Sequence, residues 1–281
     1  MAAQQSTAHS GLERSPFDWR FLTPLLLGAV INPVNSSIIA TALVGIGRDL
    51  HASASSTASL VAGLYLACAI AQPTMGKLAR HFGARRIFLL GLVIVAIGGI
   101  IGTAAPNLGT LLVSRVLIGI GTSAGYPTAM ALIRQRADDS RMGIPGSALG
   151  SIAIAGQATV ALGLPLGGVI VGLAGWRSTF LLNVPLAIVG IIVTLLWIPE
   201  DRRREGPRES MVAAIDPLGI VLFGGAITSL LIFLQGLKSP TWWLVPIVIA
   251  CSVLLIVWER RAPAPFIDVP MLAKNAPLRR T

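Results

Sequence analysis

Gly76-Lys77-Leu78-Ala79-Arg80-His81-Phe82-Gly83-Ala84-Arg85-Arg86 decides the architecture of this chain. The stretch is a short basic connector between two long apolar runs. Two glycines seven residues apart frame it, and four of its eleven residues are Lys or Arg. A loop this short forces the flanking segments to lie side by side and antiparallel. Its charges hold it in water at the membrane face where positive loops are retained.

Working outward, apolar runs longer than about 18 residues recur on both sides, the length at which a run reads as a membrane span. The chain is 54% hydrophobic and 12% charged, with a mean hydropathy of +0.76. Eight helical spans are expected, at 21–46, 58–76, 87–105, 109–133, 146–174, 178–198, 217–237 and 242–259. Helices satisfy their own backbone in lipid, and the alternating pattern of barrel strands is absent. The expected fold class is therefore an all-α membrane protein. A polar tail covers 1–20, six spans form a bundle over 21–198, and a hydrophilic linker covers 199–216. A helix pair follows at 217–259, then a proline-rich tail at 260–281 without a further span. The first apolar run is too long for a signal peptide and reads as a retained span.

Charge sets the expected topology. Placing the N-terminus in the cytoplasm puts 18 of the 22 Lys and Arg residues on that side and three (Arg48, Arg177 and Lys238) on the other. This is the positive-inside pattern, with both termini cytoplasmic in the cell membrane. The same distribution over several short loops explains the net charge of +10 without a nucleic-acid partner. Cys68 and Cys251 both fall inside spans, which argues against a disulfide framework.

The remaining basic residue, Arg115, lies within the fourth span. A guanidinium in the bilayer faces a cavity or a partner, or snorkels to the interface from near a span end. The first span carries Asn32-Pro33-Val34-Asn35-Ser36-Ser37, a polar patch costly in lipid unless it meets water, substrate or another helix. Tyr65, Gln72 and Pro73 of the second span are candidates for the same polar-lined cavity. So are Thr122, Ser123, Tyr126 and Thr128 of the fourth. The fifth span holds Gly163-Leu164-Pro165-Leu166-Gly167-Gly168, which suits close helix crossing, flexing, or both. Enzyme chemistry finds little support. His9, His51 and His81 lie outside the spans, and Asp49, Asp138, Asp139 and Asp216 lie at their edges, so neither a metal site nor an acid–base pair is expected. No phosphate-cradling cofactor loop is present either.

Taken together, these segments resemble the 14-span drug:proton antiporter branch of the major facilitator superfamily. Asn35 to Leu43 resembles its first-span motif, Tyr65 to Pro73 its second span, and Gly76 to Arg86 its signature loop. Arg115 with Gly119 and Gly121 resembles its fourth-span motif, and Gly163 to Gly168 its span-five antiporter motif. Gly175-Trp176-Arg177-Ser178-Thr179-Phe180-Leu181-Leu182-Asn183-Val184-Pro185 resembles its approach to span six. The resemblance implies two six-helix bundles around a central cavity, with two extra helices between them. It further implies alternating access and export of drugs or other small molecules by proton antiport.

By position, the resemblance makes Arg115 the cavity arginine linked to proton coupling. Asn35, Tyr65, Gln72 and Tyr126 join it along the pathway for substrate and protons. Gly76, Arg80, Gly83, Arg85 and Arg86 become a gating loop, and Gly163, Pro165, Gly167 and Gly168 a hinge or seal. Three positions depart from the pattern. Arg80 stands where the signature loop normally has Asp, Asn35 where the first span commonly has Asp, and Ile118 where the fourth often has Gln. Phe266 to Leu272 resembles the loop before a ninth span, so a second bundle is expected from elsewhere, as the rest of a longer transporter or as a second half-transporter chain. The rival expectation is a non-transporting relic of a transporter, or a regulatory membrane partner.

Overall fold

A computed structural model describes residues 17–201, 216–235 and 241–261. Most of the expected N-terminal tail, linker and C-terminal tail lies outside these residues. Ten α-helices are described: α1 (Trp19–Asp49), α2 (Ala54–Phe82), α3 (Ala84–Thr103), α4 (Leu108–Thr122), α5 (Gly125–Asp139), α6 (Gly146–Ala174), α7 (Ser178–Leu181), α8 (Asn183–Trp197), α9 (Pro217–Gln235) and α10 (Leu244–Glu259). No strand occurs among the described residues. Seven segments are long and apolar enough to cross a membrane, with Leu108–Asp139 and Ser178–Trp197 each counting as one.

The sequence places the helix ends. Asp18, Ser53 and Asn107 cap α1, α2 and α4, each side-chain oxygen accepting a backbone N–H in the first turn. Three differences from expectation concern spans two, four and eight. The expected loop at 76–86 is mostly helical, because α2 runs on through Phe82 and α3 starts at Ala84, leaving Gly83 alone between them. The fourth span breaks at Ser123-Ala124 into α4 and α5. Ser123 Oγ donates to Gly119 O at 2.6 Å, and Thr128 Oγ1 to Ala124 O at 2.6 Å, the back-bonding by which hydroxyls bend helices. The eighth expected span is the 16-residue helix α10, apolar but short of the about 20 residues a span needs. Pro33, Pro73 and Pro165 all lie inside continuous helices.

In the six-span bundle, α1 packs most extensively on α6, while α4 packs on both α2 and α3. Lipid is as apolar as leucine, so close backbone approach, rather than hydrophobic driving force, holds such helices together. Glycines supply it. A methyl group on Gly121 would lie 2.5 Å from Gly91 O, and one on Gly91 would lie 2.7 Å from Gly121 O, so α3 and α4 touch backbone to backbone. Gly119 meets Leu64 O of α2 in the same way at 2.8 Å, and Gly125 of α5 abuts Gly28 of α1. One small-residue ridge therefore seats the fourth span on three neighbours. The α9–α10 pair stands beside α2. There Asp216 Oδ1 accepts the Gly219 N–H at 3.1 Å and the Trp258 Nε1–H at 2.9 Å, tying the start of α9 to the end of α10.

Because successive spans alternate, one end of the bundle collects Trp19, Gly83, Asp139 and Trp197; it is the basic end. The opposite end is closed by Asp49, whose Oδ2 accepts the Trp176 Nε1–H at 2.7 Å and lies 3.8 Å from Arg177 Nη1. Arg177 also stacks 4.1 Å over the Trp176 ring.

Candidate functional site

Arg115 is 2% exposed, enclosed by α1, α2 and α4. Its Nε donates to Leu60 O and its Nη2 to Asn35 O, both at 3.3 Å. Gly119, one turn further along the same face of α4, has no side chain to hold α2 away, and this brings Leu60 O within reach. A charged side chain at mid-helix in a membrane costs about 2.5–3.5 kcal/mol. Two hydrogen bonds from a charged donor, at about 1.5–3 kcal/mol each, offset that. The arginine therefore neither snorkels nor opens onto a cavity here; it joins three helices through two backbone carbonyls.

Beside it runs a layer of neutral amides. Asn35 Nδ2 donates to Ile31 O at 2.9 Å and to Asn183 Oδ1 at 2.6 Å, linking α1 to α8. Asn183 Nδ2 donates back to Phe180 O at 3.1 Å. Asn32 Nδ2 donates to Cys68 Sγ and Thr122 Oγ1, both at 3.0 Å, linking α1, α2 and α4. Asn35 acts as a donor toward two acceptors. An ionised carboxylate, which only accepts, could not take that place. Among the described residues no Asp or Glu lies away from the helix ends in the six-span bundle.

The structure brings Arg115 and Asn35 together, while Tyr65, Gln72 and Tyr126 are exposed. Tyr65 and Tyr126 are 50% and 54% exposed, and Gln72, two turns from Tyr65 on the same face of α2, is exposed as well. Thr122, Ser123 and Thr128 are buried instead; their hydroxyls donate to nearby backbone carbonyls, and only Thr122 Oγ1 also accepts from another helix, from Asn32. In α6 the expected motif divides. Gly163 abuts Ser37, and a methyl on Gly167 would lie 2.8 Å from Thr41 Oγ1, so both seat α6 on α1. Gly168 faces open space. Pro165 lies between them within an unbroken helix.

At the basic end, Gly83 has φ +103°, a conformation other residues rarely adopt, and it turns the chain from α2 into α3. Asp201 sits directly against it. Its Oδ1 accepts the Arg85 N–H and its Oδ2 the Arg86 N–H, both at 3.0 Å, capping α3 from 115 residues away in sequence. The Arg85 guanidinium donates to Leu195 O at 3.1 Å and lies 3.6 Å from Glu200 Oε1. The turn from α2 into α3 is thus fastened to the end of span six. A methyl group on Gly76 would lie 3.4 Å from Pro127 Cβ, so nothing presses close there. Arg80 is exposed.

Sequence reasoning assigned no role to Asn183 or Asp201. Asn183 lay within a quoted segment but had no recognisable partner. Asp201 opens a run of arginines that reads as a solvated linker. Removing its cap is expected to cost about 1 kcal/mol, as lost N-caps do. In Asp201→Ala the amides of Arg85 and Arg86 are expected to exchange hydrogen faster than in the parent chain. Unchanged exchange would show the cap to be idle.

Comparison with known proteins bears on this arrangement. Residues 25–217 match the family model of the Major Facilitator Superfamily. The chain is 36% identical over 250 residues to an uncharacterized MFS-type transporter, YwoD, of Bacillus subtilis, covering 89% of this chain and 54% of that protein. It is 30% identical over 236 residues to the tetracenomycin C resistance and export protein of Streptomyces glaucescens, covering 84% and 42%. A putative multidrug resistance protein, MdtD, of Klebsiella pneumoniae is 29% identical over 246 residues, covering 84% and 49%. The chain spans about half the length of these relatives.

Proposed function

Since the chain belongs to the major facilitator superfamily, we propose that it forms one wall of an export pathway for small organic molecules, working with a second six-helix bundle. The observation that carries this reading is the one-sided build of α6. Only Ala148, Ile152, Gly163 and Gly167 of its 29 residues are buried, while Ile154, Leu162, Leu164, Leu166 and Val169 stand exposed. With Tyr65, Gln72 and Tyr126, the bundle offers uncovered surface that is mostly apolar, with scattered hydroxyl and amide groups. Such a lining suits uncharged or weakly polar solutes. The export and resistance relatives support the direction of transport.

Export is driven by proton antiport, with the proton carried outside the core of this bundle, because Asn35 is a neutral donor held by Asn183. Both termini face the cytoplasm, as the distribution of basic residues favours. Arg115 positions α1, α2 and α4 for the movement, and the Gly83 turn with Asp201 couples spans two, three and six at the basic end.

The test is efflux of cationic and neutral drugs from sealed vesicles carrying this chain together with a second bundle. Efflux is expected to stop when the pH gradient is collapsed. Efflux indifferent to the gradient would overturn proton coupling. If no compound moves under any gradient, the transport reading gives way to that of a non-transporting membrane protein.

A further inference from the structure

Helix α10 is shorter than the membrane that the bundle beside it crosses. Its 16 residues, flanked by Trp243 and Arg260, reach about 24 Å, against a hydrocarbon core of about 30 Å. The crossing segments of the six-span bundle run from 20 to 32 residues. Nothing in the transport reading uses this difference. Yet α10 does not lie along the surface, because it packs lengthwise on α9, itself long and apolar enough to cross. At the basic end the Trp258 Nε1–H donates to Asp216 Oδ1 at 2.9 Å. Midway, a methyl group on Gly225 would lie 3.5 Å from Cys251 Sγ, an ordinary packing distance. At the other end the ring centroids of Trp242 and Phe233 lie 5.6 Å apart. The helix therefore follows α9 through the membrane and ends short.

The shortfall lies at the Trp242-Trp243 end. Arg260 and Arg261, exposed at the basic end, carry stems long enough to reach headgroups. Thr241, Trp242 and Trp243 carry no such stem. The two indoles are 68% and 65% exposed, and exposed indoles concentrate where headgroups begin. Of α10 itself only the end residues Leu244 and Glu259 are buried, while Ile249, Val253, Leu254 and Val257 stand exposed. An apolar surface this open, rimmed by indoles, has the character of a helix bathed in acyl chains.

A bilayer meets an apolar stretch shorter than itself by thinning. We propose that α10 is a lipid-selective face, against which the bilayer thins at the Trp242-Trp243 end and phospholipids with short acyl chains gather in preference to long ones. The longer spans of the bundle impose no such thinning on the lipid beside them.

The test is tryptophan fluorescence of the full chain in vesicles of equal parts dimyristoleoyl- and dierucoyl-phosphatidylcholine, with bromine as quencher on one lipid or the other. The signal of Trp242 and Trp243 is the difference between the parent chain and W242F/W243F. That of Trp19 and Trp197, which meet edge to face at the basic end of the bundle, is the difference between the parent and W19F/W197F. Both double variants keep an aromatic ring at each position. The ratio of quenching by the short lipid to quenching by the long one is expected to be at least about twofold higher at Trp242 and Trp243 than at Trp19 and Trp197. Equal ratios at the two places would overturn the proposal. So would failure of both lipids to quench Trp242 and Trp243, because protein rather than lipid would then cover that end of α10.

Discussion

Replacing Arg115 with alanine is expected to weaken the bundle and abolish export by the assembled transporter. The side chain is 2% exposed and is the largest fully buried one among the described residues. Truncation deletes both bonds to Leu60 O and Asn35 O and leaves a void bounded by three helices. Large-to-small changes at such sites cost about 2–5 kcal/mol, and the upper half of that range applies because the void lies among backbone contacts that relax poorly. Thermal melting in detergent reads this directly. Arg115→Lys keeps the charge but loses the planar fork that reaches two carbonyls on different helices, so recovery is expected to be partial. If Arg115→Ala melts with the parent chain, the arginine does not join the helices. If efflux survives in Arg115→Ala, it has no part in transport.

The second large effect is expected at Gly121. Its Cα hydrogen faces Gly91 O, and any Cβ would stand 2.5 Å from that oxygen and 2.9 Å from Val95 N. These are backbone atoms and cannot swing aside, so Gly121→Val must push α3 away from α4. Overpacking costs about 1–3 kcal/mol in well-packed cores and more where the backbone must move. Gly121→Val is therefore expected to lose at least about 3 kcal/mol, or to fail to accumulate in the membrane. Gly168→Val provides the contrast. A Cβ there meets nothing within 4 Å, so the melting temperature is expected to stay within a degree or two. Equal destabilisation at both positions would refute the assignment of the packing ridge to α4.

Most of the fold was legible in the sequence because its signals are local. Apolar run length located the spans and basic loops marked one end, whereas the caps Asp18, Ser53 and Asn107 emerged only in the structure. Gly83 was legible as one of two glycines framing the basic connector, and its φ of +103° at the turn from α2 to α3 emerged only in the structure. The break at Ser123-Ala124 was harder to read, since Thr and Ser inside a span serve equally as pathway residues or as groups bonded back to their own helix. The candidate site was legible in composition and not in geometry. Arg115 and Asn35 stood out as costly residues in lipid, yet nothing local says that one bonds the backbone of the other across 80 positions.

The sequence by itself determined that this is a multi-span helical membrane protein of the transporter type, which residues are too polar to face lipid, and which end of the bundle is basic. Length, hydropathy and charge act segment by segment, so they can be read without knowing neighbours. Only the tertiary structure decided what those polar residues do. Arg115 became a clamp, not a cavity lining, because Gly119 lets α2 approach. Asn35 became a donor because Asn183 lies opposite. Asp201 became the cap of α3 because span six returns to the loop that Gly83 turns. Each of these depends on distances between helices remote in sequence, which packing sets and no single segment encodes.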